Sequence, residues 1–224
     1  MFGTIKMAPQ EEVDSFDYLP GQFHFIKLYR GKNLPVEEHP FTISSSPTQQ
    51  GILASTIKTS GDFTTTIQYT MPGDLARVQG PFGRFCYLLH PQKRDMVFIA
   101  GGVGITPLMS MLRYMQDAGE DRRVLLFYVN KTRRDIIFHD ELHEIEKAGS
   151  LNLEVIYVLS RPDTDWGGEI GYLNGKKIQR YCGNGLADKE FYLCGPQQMM
   201  RQLIPDLRNL GVPESQIHFE KFFL

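Results

Sequence analysis

Asp95-Met96-Val97-Phe98-Ile99-Ala100-Gly101-Gly102-Val103-Gly104-Ile105-Thr106-Pro107 decides the fold. A continuous apolar run reads as a strand buried on both faces. Three glycines follow it directly. Behind them Leu108, Met111, Leu112 and Met115 repeat at helical spacing. A strand, a glycine loop and a helix in this order turn bare backbone N–H groups and a positive helix end towards a phosphate. The glycines suit this because a Cβ would block close approach. Pro107 suits a first helical turn, where its missing N–H costs little. An ordinary tight strand–helix turn would use the same glycines. The flanking elements are what favour the phosphate reading.

Outward from this stretch, VLLFYV, LEVIYVL and the shorter EFYLC are further apolar runs. Between them lie segments of helical texture: PLMSMLRYMQDAG, DELHEIEKAG and QQMMRQLIPDLRNLG. Gly119, Gly149 and Gly211 stand where helices should end. Buried strands alternating with amphipathic helices predict a Rossmann-like α/β domain with a parallel sheet. The spacing departs from G-x-G-x-x-G. The end of the next strand reads Tyr128-Val129-Asn130-Lys131, with no carboxylate to hold a ribose, which argues against the common dehydrogenase version.

Two more clusters stand at predicted strand ends. Ser160-Arg161-Pro162 offers a hydroxyl and a guanidinium fork suited to a ribose 2′-phosphate, or else is a solvated loop. Tyr192-Leu193-Cys194-Gly195-Pro196 runs a strand into glycine. Cys194 has no neighbouring base in sequence, so a buried structural thiol is the plain alternative to a site role.

Towards the N-terminus the texture changes. PGQFHFIKLY, HPFTISSSP and GILASTIKTS are short runs rich in Phe, Ile and Thr, broken by Gly, Pro and Ser. They predict a small antiparallel barrel or sandwich. The boundary falls at Gln92-Lys93-Arg94-Asp95, giving domains at 1–92 and 93–224.

Composition bounds the rest. The 224 residues are 42% hydrophobic and 22% charged, as in globular domains, and the formal charge of −2 gives no global basic field for nucleic acid. No apolar run reaches the roughly 18–20 residues that span a bilayer. Cys86, Cys182 and Cys194 have neither a disulfide framework nor metal-site spacing, so no metal centre is expected. A reducing, cytoplasmic setting, or the cytoplasmic face of a membrane, follows as the expectation.

Taken in order, PGQF at 20–23, HPFTISSSP at 39–47, GDFT at 61–64, GPFG at 80–83, GGVGITP at 101–107, LCGP at 193–196 and the ending FEKFFL resemble the ferredoxin–NADP reductase superfamily along essentially the whole chain. The His-Pro-Phe-Thr and Gly-Asp-Phe-Thr forms look most like its ferric reductase and NADPH oxidase branch. The resemblance implies an N-terminal Greek-key β-barrel for FAD and a C-terminal α/β domain for NADPH, with NADH as the other candidate. It also places the family's first barrel strand before residue 1, which implies a reductase fragment or a partner-dependent subunit.

By the same resemblance, Phe41 lies against the isoalloxazine and Thr42 approaches its N5. His39 stands where the family usually has arginine. That weakens the usual charge pairing with the FAD pyrophosphate, which Gly61, Thr64 and Thr65 would contact through backbone N–H and hydroxyl groups; His39 and Pro40 belong to the same cofactor-binding set. Gly101, Gly102, Gly104 and Thr106 would hold the dinucleotide, Ser160 and Arg161 its 2′-phosphate, and Cys194 and Gly195 would flank the nicotinamide. Glu220 matches the family's C-terminal carboxylate and Phe222 the aromatic covering the flavin; a C-terminal strand packing alternate phenylalanines is the other reading of that end. The implied activity passes hydride electrons from NAD(P)H through FAD to a one-electron acceptor: haem, an iron–sulfur protein or ferric iron. The alternatives are a soluble reductase feeding an oxygenase or ferredoxin, and a flavin-free interaction module.

Overall fold

The computed structural model describes residues 1–10, 16–31, 33–90 and 95–221. Five strands form the N-terminal part: β1 (Phe2–Met7), β2 (Phe23–Tyr29), β3 (Glu38–Thr42), β4 (Leu53–Lys58) and β5 (Leu75–Phe82). All pair antiparallel, as two sheets: β1 with β4, and β3–β2–β5. In β2 the alternation is clean. His24, Ile26 and Leu28 turn inward and the residues between them outward, as the two-residue strand period requires. β1 was absent from the sequence reading. Its run FGTIKM has too few apolar residues to announce a strand, and pairing with β4 supplies the missing incentive. The short helix α1 (Asp62–Thr65) caps the sheets, with Phe63 pointing inward next to Ile26, Leu28 and Ile57.

The C-terminal part is the predicted α/β layer. Its strands are β6 (Asp95–Gly101), β7 (Val124–Asn130), β8 (Leu153–Leu159), β9 (Glu169–Ile170), β10 (Lys189–Cys194) and β11 (Ile217–Glu220). Its helices are α2 (Ile105–Asp117), α3 (His139–Ala148), α4 (Gly175–Cys182) and α5 (Gln197–Asn209). The strands are parallel in the order β11-β10-β6-β7-β8-β9. Gly119, Gly149 and Gly211 follow helices α2, α3 and α5 with φ of +64°, +63° and +86°, the left-handed turn that glycine takes without strain.

Two apolar cores cover the two faces of this sheet. α2 belongs to the first and is buried on nearly all sides, because the barrel covers the face that the sheet leaves open. Its polar residues on that side have partners. The Ser110 hydroxyl donates to the Ser45 carbonyl at 2.6 Å, and Arg113 Nη1 donates to the Ser44 carbonyl. Arg113 also forks onto Glu141 of α3 through two bonds of 2.7 Å. Gly21 completes the seam: a Cβ there would stand 2.1 Å from the Phe85 carbonyl and 2.5 Å from Met111 Cε.

Candidate functional site

The parallel order reverses between β6 and β10, the chain leaving β6 towards β7 and returning to its other side through β10. Such a switch point opens a crevice at the strand C-termini. The two glycine segments singled out in the sequence meet there. A Cβ on Gly104 would lie 2.2 Å from the Cys194 carbonyl oxygen and 2.8 Å from Gly195 N. One on Gly195 would lie 2.9 Å from Gly101 Cα, and one on Gly101 2.6 Å from Pro196 Cδ. Gly101, Gly104, Cys194 and Gly195 are therefore packed backbone on backbone. Gly102 differs: it has φ of +53° and nothing within 4 Å of an added Cβ, so its backbone faces open space above the start of α2. Open space beside a glycine at a helix N-terminus, with no side chain in the way, fits a dinucleotide phosphate.

Thr106 is buried and its hydroxyl donates to the Val103 carbonyl at 2.9 Å, so it holds the loop's shape. Cys194 is fully buried in the core under α2. Burial pushes its thiol well above the ordinary range, and the neighbouring Glu220 carboxylate adds to this. The sulfur is thus a neutral wall, not a nucleophile. Glu220 pairs in register with Cys194 and is half-buried, which raises its carboxyl above the usual range. Its Oε2 lies 3.9 Å from where a Cβ of Gly83 would be, and the Phe23 ring lies 3.1 Å from the same point. Phe23 is the cross-strand partner of Thr42. The chain of neighbours Cys194, Glu220, Gly83, Phe23 and Thr42 therefore links the nucleotide crevice to the barrel edge. Phe222 lies outside the described residues.

On the barrel, Phe63 gathers the other predicted flavin residues. His39 stacks on it with ring centroids 4.0 Å apart, and Phe41 lies 6.4 Å away at 19°. The His39 imidazole also meets Glu37 at 2.8 Å. Pro40 is exposed between them on β3. Gly61 precedes α1 with φ of +92° and open space around it. Thr64 and Thr65 each donate a hydroxyl to its carbonyl, at 3.2 and 2.8 Å. An open glycine flanked by hydroxyls, with the half-buried Phe41 stacked on the buried Phe63 next to it, fits a flavin and its pyrophosphate.

Ser160 and Arg161 continue the β8 ladder past its end, their N–H groups donating to the carbonyls of Asn130 and Lys131 at 3.1 and 2.8 Å. Arg161 is exposed, and so is Lys131 beside it. Sequence reading missed that neighbour, because only strand pairing brings 131 to 161. It also missed Arg30, which holds the loop after α1 by bonds to the Thr66 carbonyl at 2.8 Å and the Thr66 hydroxyl at 2.9 Å.

Two family models match the chain. One, described as an FAD-binding domain, covers residues 3–85; the other, an oxidoreductase NAD-binding domain, covers residues 98–203. The chain belongs to the ferredoxin–NADP reductase superfamily. Among superfamily relatives it is 28% identical to the sulfhydrogenase 2 subunit gamma of Pyrococcus furiosus over 96% of this chain and 75% of that protein. It is 35% identical to NADH–cytochrome b5 reductase 1 of Arabidopsis thaliana over 66% of this chain and 53% of that protein. Its fold superimposes on the ferredoxin reductase of carbazole 1,9a-dioxygenase with a TM-score of 0.81 at 26% identity, covering 99% of this chain and 65% of the other. The chain thus spans between half and three quarters of the length of these superfamily proteins.

Proposed function

We propose that the protein is an NAD(P)H-dependent flavin reductase that passes electrons to a one-electron acceptor. The observation that carries this reading is the meeting of the barrel edge with the switch-point crevice through Phe23, Gly83, Glu220 and Cys194. FAD, when bound, would accept one hydride, two electrons at once, and release those electrons singly, which is the chemistry that joins a nicotinamide to a one-electron partner. The chain's own residues bind, orient and exclude water. The barrel, 1–92, supplies His39, Pro40, Phe41, Thr42, Gly61, Thr64 and Thr65. In the α/β domain, 93–224, Gly102 faces the dinucleotide, and Gly101, Gly104, Thr106 and Gly195 hold the loop that presents it. Cys194 and Glu220 close the crevice floor. Glu220, with its raised affinity for a proton, is suited to hold one near the reacting groups. The acceptor is a haem or iron–sulfur protein, or ferric iron, met on the cytoplasmic side. A soluble reductase component feeding an oxygenase is the second reading, favoured by the likeness to the carbazole dioxygenase ferredoxin reductase.

The test is anaerobic titration of FAD-loaded protein with NADPH and NADH, followed by the flavin absorption bands. Bleaching is the expected result; protein that neither binds FAD nor bleaches would leave an interaction module. Thr42→Val sharpens it. The change removes the hydroxyl and keeps the β-branched shape, so flavin reduction should slow by about 10- to 100-fold, the worth of one hydrogen bond to a charged group, with FAD affinity nearly unchanged. Unchanged stopped-flow reduction would remove Thr42 from the mechanism.

NADPH is the proposed dinucleotide. Arg161 and Lys131 place two exposed cations side by side where β7 and β8 end. A charge-assisted bond to phosphate is worth roughly 1.5–3 kcal/mol, discounted here for exposure and salt. Arg161→Ala should therefore cut kcat/KM for NADPH about tenfold and spare NADH. Equal losses with both would mean that Arg161 only shapes the loop.

A further inference from the structure

One buried histidine has no place in the function just described. His24, on β2, is fully buried and sits cross-strand from Phe41. Its Nε2 lies 2.7 Å from the Ser55 hydroxyl, and that hydroxyl donates to the Thr42 carbonyl at 2.9 Å. Ser55 is fully buried too. A serine hydroxyl has one proton to give. With that proton on the Thr42 carbonyl, Ser55 accepts from His24, and the imidazole proton must sit on Nε2.

The other ring nitrogen agrees. Nδ1 is buried and has no partner among the described residues. A charged ring would carry an N–H there with nothing to receive it, which is costly away from water. Burial accordingly pulls the His24 pKa down to about 4. The ring is also held at its root: a Cβ on Gly80 would be 3.1 Å from His24 Cβ. The result is a neutral, single-tautomer donor at the end of a two-bond relay. The relay ends on the last residue of β3, where the chain leaves the sheet for Ile43 and the serines that dock on α2.

We propose that His24 is a positioning residue: acting through Ser55, it pins the Thr42 carbonyl and so sets where the Thr42 hydroxyl stands relative to the flavin. The inference rests on the reading of Thr42 as the residue facing flavin N5.

The first measurement needs no flavin and no turnover. Long-range 1H–15N spectra of the 224-residue chain labelled in histidine should show the His24 ring neutral at pH 7 with its proton on Nε2. A charged ring, or the Nδ1–H tautomer, overturns the proposal. The second is anaerobic stopped-flow reduction of the FAD-loaded protein by NADPH. A misplacement of 1 Å costs roughly 100-fold, so a shift of a few tenths should slow reduction about tenfold in Ser55→Ala and in His24→Leu, with the FAD Kd within about threefold. His24→Gln keeps an N–H donor and should recover most of the rate. In a Thr42→Val background, neither change should slow reduction further; additive losses there overturn the proposal. The two readings fail differently. Thr42→Val reducing at the wild-type rate removes the reading of Thr42 and this proposal with it. A slowed Thr42→Val beside full-rate Ser55→Ala and His24→Leu removes this proposal alone.

Discussion

Replacing Gly104 by alanine is expected to disable the protein. Its φ of −61° is helical, so alanine meets no conformational objection there. The objection is steric. The new methyl would stand 2.2 Å from the Cys194 carbonyl oxygen and 2.5 Å from its carbon. Both are backbone atoms of a buried central strand, so no side chain can swing aside. β10 and the start of α2 must separate, and the crevice opens where Gly101 and Gly195 now touch. Overpacking costs about 1–3 kcal/mol where side chains can yield and more where they cannot. A cost at or above the top of that range is a large share of a net stability of about 5–15 kcal/mol. Nicotinamide-driven flavin reduction should fall below detection, and thermal unfolding should move well down. Gly102→Ala is the control. It introduces no clash but holds a Cβ in the left-handed region, at about 1–2 kcal/mol, and it places a methyl over the open backbone. It should weaken dinucleotide binding with a smaller loss of stability. A Gly104→Ala protein with wild-type unfolding and reduction would show that the two glycine loops are not packed as described.

Arg113→Met should uncouple the barrel from the α/β layer. The guanidinium ties the Ser44 carbonyl of the barrel to α2, forks onto Glu141 of α3 and lies over the Phe138 ring with 4.9 Å to the centroid. Methionine keeps the apolar stem and loses every donor. The Ser44 carbonyl, on a fully buried residue, then loses this charged donor, which costs about 1–3 kcal/mol. The Glu141 share is smaller, because that carboxylate is 38% exposed and water replaces the lost fork. For a chain of this length such a loss lowers Tm by roughly 2–12 °C. Function should suffer beyond stability. Ser44 stands two residues after Thr42, so slack at the seam reaches the barrel edge that faces the crevice. Flavin reduction should slow at temperatures where the protein remains folded. Calorimetry and stopped-flow reduction check the two parts; an unchanged Tm would mean that the Ser110–Ser45 bond and the Gly21 contact hold the seam alone.

Much of this architecture was legible before any coordinates. The runs from Met96 to Ala100, Leu125 to Val129 and Phe191 to Cys194 could only be strands covered on both faces, because their apolar residues do not alternate. The glycines after β6 and β10 announced close approach, and those after α2, α3 and α5 announced left-handed turns. In each case the cause is local, in the dihedral freedom of glycine or the period of apolar side chains. The weaker elements were not legible. β1 and β9 form because a partner strand is present, and α4 is a short helix with only Gly175 and Ile178 buried. Their stability comes from contacts that no local window contains.

The site divides along the same line. Phe41-Thr42, Gly101 to Gly104 and Cys194-Gly195 stood out in the sequence as candidates by residue type alone: a ring and a hydroxyl, a run of glycines, and a small pair after a buried strand. Which of them meet was decided only by the tertiary structure. Strand order sets Gly104 against Cys194 across the switch point, and register sets Glu220 beside Cys194. Pairing of β7 with β8 brings Lys131 to Arg161. Burial did the rest: Cys194, for which the sequence left a site role and a buried thiol both open, lies fully buried, and His24, silent in the sequence, becomes a donor of one tautomer because its surroundings leave its proton a single place to go.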